Sequence, residues 1–350
     1  MYKLIISIIL VSNLLYSQDD FFGPSTTIGG YGELHYNKSV TDSETTNVLD
    51  FHRFVMFFGN QWNEDWSFKA EIELEHNFVS SGEGELELEQ AYVDYRYEKF
   101  LGFQFGVILP SVGLLNENHE PPLFFGVERP DYNKSIIPTT WFGNGIAIYG
   151  NYSNFDYKLS IMEGLDADKI SPRGGIRSAR QKGFKSNADH LLYNGRIDYL
   201  GISGLRIGAS YTYDNATGDS VNNLVNLFEA HVKYARNNLF IIGEFGNILY
   251  GNGELEKSNG YYIDFGYNVG NILGIKTNLI PFIRYTNYNT ASSTLIGGDS
   301  EKVYNKSKWM IGLNILPISE VVFKIDFGVT EYELTKETVS NFNLGVGYMF

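Results

Sequence analysis

Residues 100–141, FLGFQFGVILPSVGLLNENHEPPLFFGVERPDYNKSIIPTTW, begin as one kind of structure and continue as another. Leu101, Phe103, Phe105, Val107 and Leu109 are apolar at every second position, with Gly102, Gln104 and Gly106 between them. A period of two describes a strand with one wet face and one greasy face. The pattern stops at Pro110. The segment 110–142 then carries Pro121, Pro122, Pro130 and Pro138 and no sustained period. Connections of that length are uncommon in compact domains and are functional or disordered where they occur. Leu114, Leu115, Leu123, Phe124, Phe125, Ile136, Ile137 and Trp141 make this one too apolar for disorder. We therefore expect a folded, packed loop whose polar groups are Asn116, Glu117, Asn118, His119, Glu120, Glu128, Arg129, Asp131 and Lys134. A strand feeding such a loop suggests a β-barrel with the loop turned into its mouth.

The same two-residue rhythm runs along the chain. Candidate strands fall at 27–37, 49–59, 66–79, 86–97, 100–109, 145–152, 155–163 and 190–200. Eight more follow at 205–214, 224–235, 239–250, 259–270, 277–289, 306–316, 320–333 and 339–350. Short turns such as Glu98-Lys99 and Ser153-Asn154 alternate with longer polar connections, the longest being 110–142 and 164–189. That asymmetry predicts an all-β fold: a transmembrane antiparallel barrel of about 16 strands. It has long loops outside, both chain ends in the periplasm, and the long third extracellular loop folded into the pore.

The strand faces agree with this reading. Phe68, Ala70, Ile72 and Leu74 alternate with Lys69, Glu71, Glu73 and Glu75. Ile207, Ala209 and Tyr211 alternate with Arg206, Ser210 and Thr212, and Phe323, Ile325 and Phe327 alternate with Lys324 and Asp326. Periodicity does not by itself separate a soluble sandwich from a membrane barrel. Aromatics near strand ends (Trp62, Trp66, Tyr95, Tyr97, Tyr199, Tyr288) favour the barrel, since interfacial girdles need them. So does a last strand in which Phe342, Leu344, Val346, Tyr348 and Phe350 share one face. A two-faced strand closing on Phe350 is expected to serve as the insertion signal read by the barrel assembly machinery, with Phe342 and Tyr348 on the same face.

Composition excludes much else. There is no Cys, so neither a disulfide framework nor a thiolate metal site is available. A net charge of −14 argues against nucleic acid as a partner. Met1-Tyr2-Lys3 followed by the apolar run 4–15 reads as a secretory signal peptide over residues 1–17, which leaves 18–350 as a single barrel domain. No later run is long and apolar enough for a membrane helix.

Several stretches carry a family resemblance: GGYGELHYN (29–37), DFHRFVMFFG (50–59), ELEHNFV (73–79), ELELEQAYVDYR (85–96) and NENHEPPLFFGVERPDYNKSIIPTTW (116–141). They resemble outer-membrane porins of Bacteroidetes-type bacteria, near the phosphate-selective porin O and P family. The resemblance is dense over 29–150 and thin beyond it. It implies a sixteen-stranded general or solute-selective porin, often trimeric, with its third loop narrowing the pore. The family's phosphate channels depend on ladders of arginines and lysines. No such ladder is visible here, so phosphate selectivity is not carried over.

Each polar cluster has two readings. Asn116, Glu117, His119 and Glu120 include metal-ligand types, yet they read best as loop scaffolding, and no metal or other cofactor is expected. Glu128-Arg129 is an ion pair, local or wall-anchoring, or part of a transverse field with Asp131 and Lys134. Glu71, Glu73 and Glu75 line the lumen or form a solvated rim, whereas Glu85, Glu87 and Glu89 are expected at the rim. Lys69, Arg206, Lys324 and Asp326 are placed on the lumen wall by alternation. Lys169, Arg173, Arg177, Arg180, Lys182 and Lys185 share one loop, which either lies loosely over lipid phosphates or gathers anions at the mouth.

No nucleophile with a base in reach and no phosphate-binding Gly-rich loop is present, so no enzyme activity is expected. The expected function is passive diffusion of small solutes or ions through a water-filled channel, with weak cation preference from the net acidity. Expected surroundings are outer-membrane lipid and lipopolysaccharide of a Gram-negative cell, with a homotrimer implied by the resemblance. The competing reading is a non-conducting barrel acting as receptor, adhesin or assembly partner.

Overall fold

The computed structural model describes residues 24–80 and 83–350, and the expected signal peptide at 1–17 lies outside them. The strands are β1 (Ser25–Val40), β2 (Thr45–Gln61), β3 (Trp66–Glu75), β4 (Leu86–Glu98), β5 (Leu101–Ile108), β6 (Gly143–Tyr152), β7 (Phe155–Glu163) and β8 (Leu191–Tyr199). They continue with β9 (Leu205–Thr217), β10 (Asn222–Arg236), β11 (Leu239–Tyr250), β12 (Leu255–Tyr267), β13 (Asn278–Thr294), β14 (Asn305–Ile318), β15 (Val321–Tyr332) and β16 (Thr338–Met349). Each pairs antiparallel with its neighbour in sequence, and β16 returns to β1, with Tyr31 opposite Met349 and Val40 opposite Ser340. The result is a closed barrel without a free edge.

Its two faces invert the arrangement of a water-soluble protein. On β15, Phe323, Ile325 and Phe327 are exposed while Lys324 and Asp326 between them are buried. On β3, Ile72 is 44 % exposed, whereas Glu71 and Glu73 are 2 % and 4 % exposed. Apolar side chains pointing out of a closed ring, with charged ones pointing in, belong to a barrel whose outer solvent is lipid.

The strands reach further than the apolar period predicts. β1 and β2 continue to Val40 and from Thr45, so the expected polar loop shrinks to a turn closed by Thr41 N–H donating to the Glu44 carbonyl (2.9 Å). β12 starts at Leu255 and β13 runs to Thr294. Ladder hydrogen bonds need no alternation, and past the bilayer the outer face no longer has to be apolar, so pairing outlasts the pattern. β3 goes the other way and stops at Glu75, because His76 (φ 57°) and Asn77 (φ 69°) turn the chain. The long/short alternation also has an exception in the ten-residue connection 268–277, which falls on the side of the short turns.

One register shift shapes the interior. Glu33 pairs with Arg53 but Leu34 pairs with Phe51, so His52 is the extra residue of a β-bulge. His52 and Arg53 consequently both line the same internal cavity, a departure from strict alternation.

Candidate functional site

The segment 110–142 touches strands all round the ring. Ser111 N–H donates to Asn194 on β8 (3.0 Å), and Leu114 N–H donates to Glu244 on β11 (3.2 Å). Tyr132 packs on Tyr262 of β12, and Arg284 on β13 donates to the Phe125 carbonyl (2.8 Å). Asp131 pairs with Lys308 on β14 (3.0 Å), Val127 N–H donates to Asp326 on β15 (2.7 Å), and Pro121 abuts Gly347 on β16. On the opposite arc Glu128 meets His35 on β1 (3.0 Å), His119 meets Glu71 on β3 and Glu89 on β4, and Glu117 meets Lys158 on β7 (2.8 Å).

Two kinds of force hold it. Asn116 clamps the ends of the loop together: its side-chain NH2 donates to the carbonyls of Pro110 (2.8 Å) and Trp141 (3.0 Å), and its Oδ1 accepts from Trp141 N–H (2.7 Å). The apolar residues predicted to need burial are buried, except Leu123, which is 38 % exposed. Tyr132, Ile136, Ile137 and Trp141 join inward-facing residues of β7 to β14, among them Met162, Leu192, Leu227, Ile248 and Phe282, in one hydrophobic cluster. Burial of such side chains stabilises by roughly 1.5–3 kcal/mol each.

The basic loop is part of the same construction. Its Leu165, Ala167, Ile176 and Ala179 enter that cluster. Arg177 donates to the carbonyls of Lys134 (3.3 Å) and Thr139 (3.5 Å), and Arg180 donates to the carbonyl of Thr140. This corrects the expectation of a loose segment lying on lipid, since apolar residues spaced between the charges anchor it. Lys182 pairs with Glu85 (2.5 Å) and with Glu87. Lys169 pairs with Asp166 (3.0 Å), Arg173 is exposed, and Lys185 lies over the Phe184 ring.

Other predicted residues divide clearly. Glu128 and Arg129 do not pair with each other: Glu128 takes His35, and Arg129 donates to the His119 carbonyl (3.3 Å). Glu89 is fully buried, not at the rim, because the bulge between β3 and β4 and the His119 imidazole draw it inward. Lys324 sits 3.7 Å from the centre of the Phe124 ring, Arg206 reaches Asp198 (3.4 Å), Lys69 is exposed, and Glu120 Oε2 has no partner among the described residues. Phe350 exchanges two backbone hydrogen bonds with Gly30 (3.0 Å each) and stacks on Phe54, Tyr348 lies beside it, and Phe342 is opposite Lys38.

Two adjoining cavities of about 280 and 230 Å3 open among these groups. Arg53, Arg129 and Arg177 line both, together with Glu75; the first adds Arg180 and Lys182 but also Glu73, Glu85 and Glu87, and the second adds Lys134 and Lys308 but also Glu33, Glu128 and Asp131. Arg53 is neutralised by Glu33 (3.2 Å) and Glu73 (3.0 Å). Arg129, Arg177 and Arg180 donate to backbone carbonyls and have no carboxylate partner among the described residues. A row of guanidiniums is thus assembled from β2 and two loops, where the linear sequence shows no ladder. A third cavity of about 500 Å3, lined by Arg96, Lys99, Glu117, Lys158, Arg196 and Arg206, lies toward the short turns. Sequence reading missed Glu33, His35, Arg53, Arg196, Glu244 and Arg284, all polar residues at inward strand positions. Alternation marks such positions, but only the folded loop shows which of them it uses.

Burial alone would push the His119 imidazole down; the Glu71 and Glu89 carboxylates outweigh it and hold it raised to about 10. Burial pushes the Glu128 carboxyl up, but the hydrogen bond and charge of His35 prevail and it lies well below its ordinary range.

Comparison with known proteins places the chain. The family model for phosphate-selective porin O and P matches residues 29–239. An uncharacterised protein of Aquifex aeolicus is 32 % identical over 336 residues, covering 89 % of this chain and 77 % of the relative. Among solved structures, the anion-selective porin from Comamonas acidovorans has a TM-score of 0.64 at 10 % identity, covering 93 % of this chain and 100 % of that one. Salmonella typhi OmpF, solved with daunomycin, has a TM-score of 0.66 at 13 % identity, covering 94 % and 98 %. The outer-membrane channel DcaP of Acinetobacter baumannii has a TM-score of 0.63 at 11 % identity, covering 94 % and 98 %. At such identities these three speak to the fold.

Proposed function

Because the chain belongs to the phosphate-selective porin O and P family, we propose that it is an outer-membrane porin whose segment 110–142 lies in the lumen and forms the constriction of a passive, water-filled channel. The observation that carries this reading is the ring of contacts from one segment to β1, β3, β4, β7, β8 and β11 to β16. A loop bonded to inward-facing residues on every side of a closed barrel narrows whatever passes through it. The long connections then face outward and both termini face the periplasm. Outer-membrane lipid and lipopolysaccharide surround the barrel, the assembly machinery inserts it, and a homotrimer is its working form.

Selectivity follows from the field at the constriction more than from total charge. Net acidity alone gives a weak cation preference. Arg129, Arg177 and Arg180 oppose it where charge acts through less water than at the surface. The reading adopted is therefore anion preference for small hydrophilic solutes. Planar-bilayer recording of the purified protein tests both levels. Discrete conductance steps with an anion-selective reversal potential in a salt gradient are expected. Silence would support the non-conducting barrel instead, and cation selectivity would refute the role given to the arginines.

A further inference from the structure

One group of side chains is not used by the loop anchors and borders the arginine face through a single contact, His52 with Arg53. Asp50 and His52 on β2 and His76, just beyond β3, converge at the end of the barrel that carries the long loops. Asp50 Oδ2 lies 3.1 Å from His52 Nδ1 and 2.8 Å from His76 Nδ1. All three ligand atoms lie within 4.8 Å of one another. We propose that Asp50, His52 and His76 form a binding site for a divalent transition-metal ion of the zinc, copper or nickel kind.

The chemistry of the donors selects the ion. Two imidazoles and one carboxylate suit borderline metals, whereas calcium and magnesium require mainly oxygen ligands. Tetrahedral coordination at about 2.0–2.1 Å separates donor atoms by roughly 3.3 Å. The two spacings to Asp50 therefore need to open by only a few tenths of an ångström, and the imidazoles, whose ligand atoms lie within 4.8 Å of each other, already stand near that separation. Three protein ligands leave a position for water, and the His76 side chain, 45 % exposed, gives the ion a way in.

The backbone builds this arrangement on purpose-shaped irregularities. The bulge at His52 turns that side chain to the inside beside Asp50, and the positive φ of His76 brings its ring back over the end of β2. His76 N–H donates to the His52 carbonyl (3.1 Å), which fixes the two imidazoles relative to each other. His35 stacks on His52 at 4.7 Å but is no ligand, since Glu33 and Glu128 occupy both its nitrogens.

Binding through Nδ1 dictates what each imidazole does with its other nitrogen. Each imidazole must present Nδ1 as a lone pair, which leaves Nε2 as its N–H. For His76 that nitrogen faces Glu75 at 4.0 Å, a carboxylate placed to orient a metal-bound imidazole. For His52 it is the atom that meets Arg53 Nη2 at 2.9 Å, so Arg53 must let go and rely on Glu33 and Glu73. Metal occupancy is thereby linked to the position of an arginine that lines both mouth cavities.

The site stands whether or not the barrel conducts, so its test is separate from the channel recording. The full-length barrel in detergent is titrated with ZnCl2 by calorimetry, and with CuCl2 under electron paramagnetic resonance. One zinc per chain and two nitrogen couplings on copper are expected. His76→Asn, which keeps a residue tolerant of positive φ, should weaken zinc binding by at least about tenfold and leave one nitrogen coupling. His190→Gln, on the exposed stretch before β8, should change neither. Retention of the heat-modifiable band shows that each variant is folded. Unchanged affinity and couplings in His76→Asn, or their loss in His190→Gln, would overturn the assignment.

Discussion

His119 Nε2 lies 3.3 Å from Glu71 Oε1, a residue forty-eight positions earlier, and the contact fastens the middle of the long loop to the third strand. Glu89 approaches the same nitrogen at 3.5 Å. Removing the cation leaves two buried carboxylates facing each other, a change that costs about 3–5 kcal/mol where it has been measured in buried pairs. His119→Gln should therefore loosen residues 110–142, seen as faster amide exchange there, while the barrel keeps its heat-modifiable band.

The same imidazole sets a pH dependence. Its value is raised from 6.5 to about 10, so the protonated form favours the docked loop. That contribution is complete below about 6.5 and is lost as the pH rises through about 10. Amide exchange of the loop measured at pH 8 and pH 11, relative to intrinsic rates, should show protection at the first and a marked loss at the second. Equal protection at both would separate His119 from docking.

Excising residues 116–134 and bridging the gap with a short Gly-Ser link removes the clamp, the His119 anchor and the Glu128–His35 pair together. Single-channel conductance should rise and larger sugars should enter liposomes carrying the variant. Unchanged conductance from a folded barrel would take the segment out of the constriction.

Arg177 offers the cleanest charge reversal, because among the described residues it has no carboxylate partner to strand and it donates to the loop through carbonyls. Arg177→Glu should move the reversal potential toward cations, and more so at low salt, where screening is weaker. No shift at low ionic strength would remove Arg177 from the conducting path.

Phe350 closes the β1–β16 seam through its bonds to Gly30 and its stack on Phe54. Phe350→Asp places a charge on the lipid face beside that seam. The amount of heat-modifiable barrel in the outer membrane should fall severalfold, with export across the inner membrane unchanged. Normal amounts would detach Phe350 from assembly.

Much of the fold was legible because a barrel strand writes its two solvents into alternate residues. Phe323 and Lys324 state their faces in the sequence, and they occupy those faces. Strand ends were less legible where lipid no longer constrains the outer residue, as at Thr45 and Thr294. The candidate site was half legible. His119 and Glu128 stood out as polar residues in an apolar loop, but their partners Glu71, Glu89 and His35 are set by barrel closure and loop docking, which sequence distance does not report. The bulge at His52 left no mark, since one extra residue in a long polar-aromatic strand changes no local preference.

The hydrophobic cluster on β7 to β14 gives the barrel unequal walls. One arc is braced from within by apolar packing, as an arch is by its fill, while the arc of β1 to β4 is backed by two cavities and salt-bridged side chains. Squeezed by a bilayer of the wrong thickness or by lateral tension, such a cylinder yields on its hollow side and becomes elliptical there first. The hollow side is where the arginines stand, so the shape of the membrane would reach the spacing of those charges before it reached anything else in the molecule.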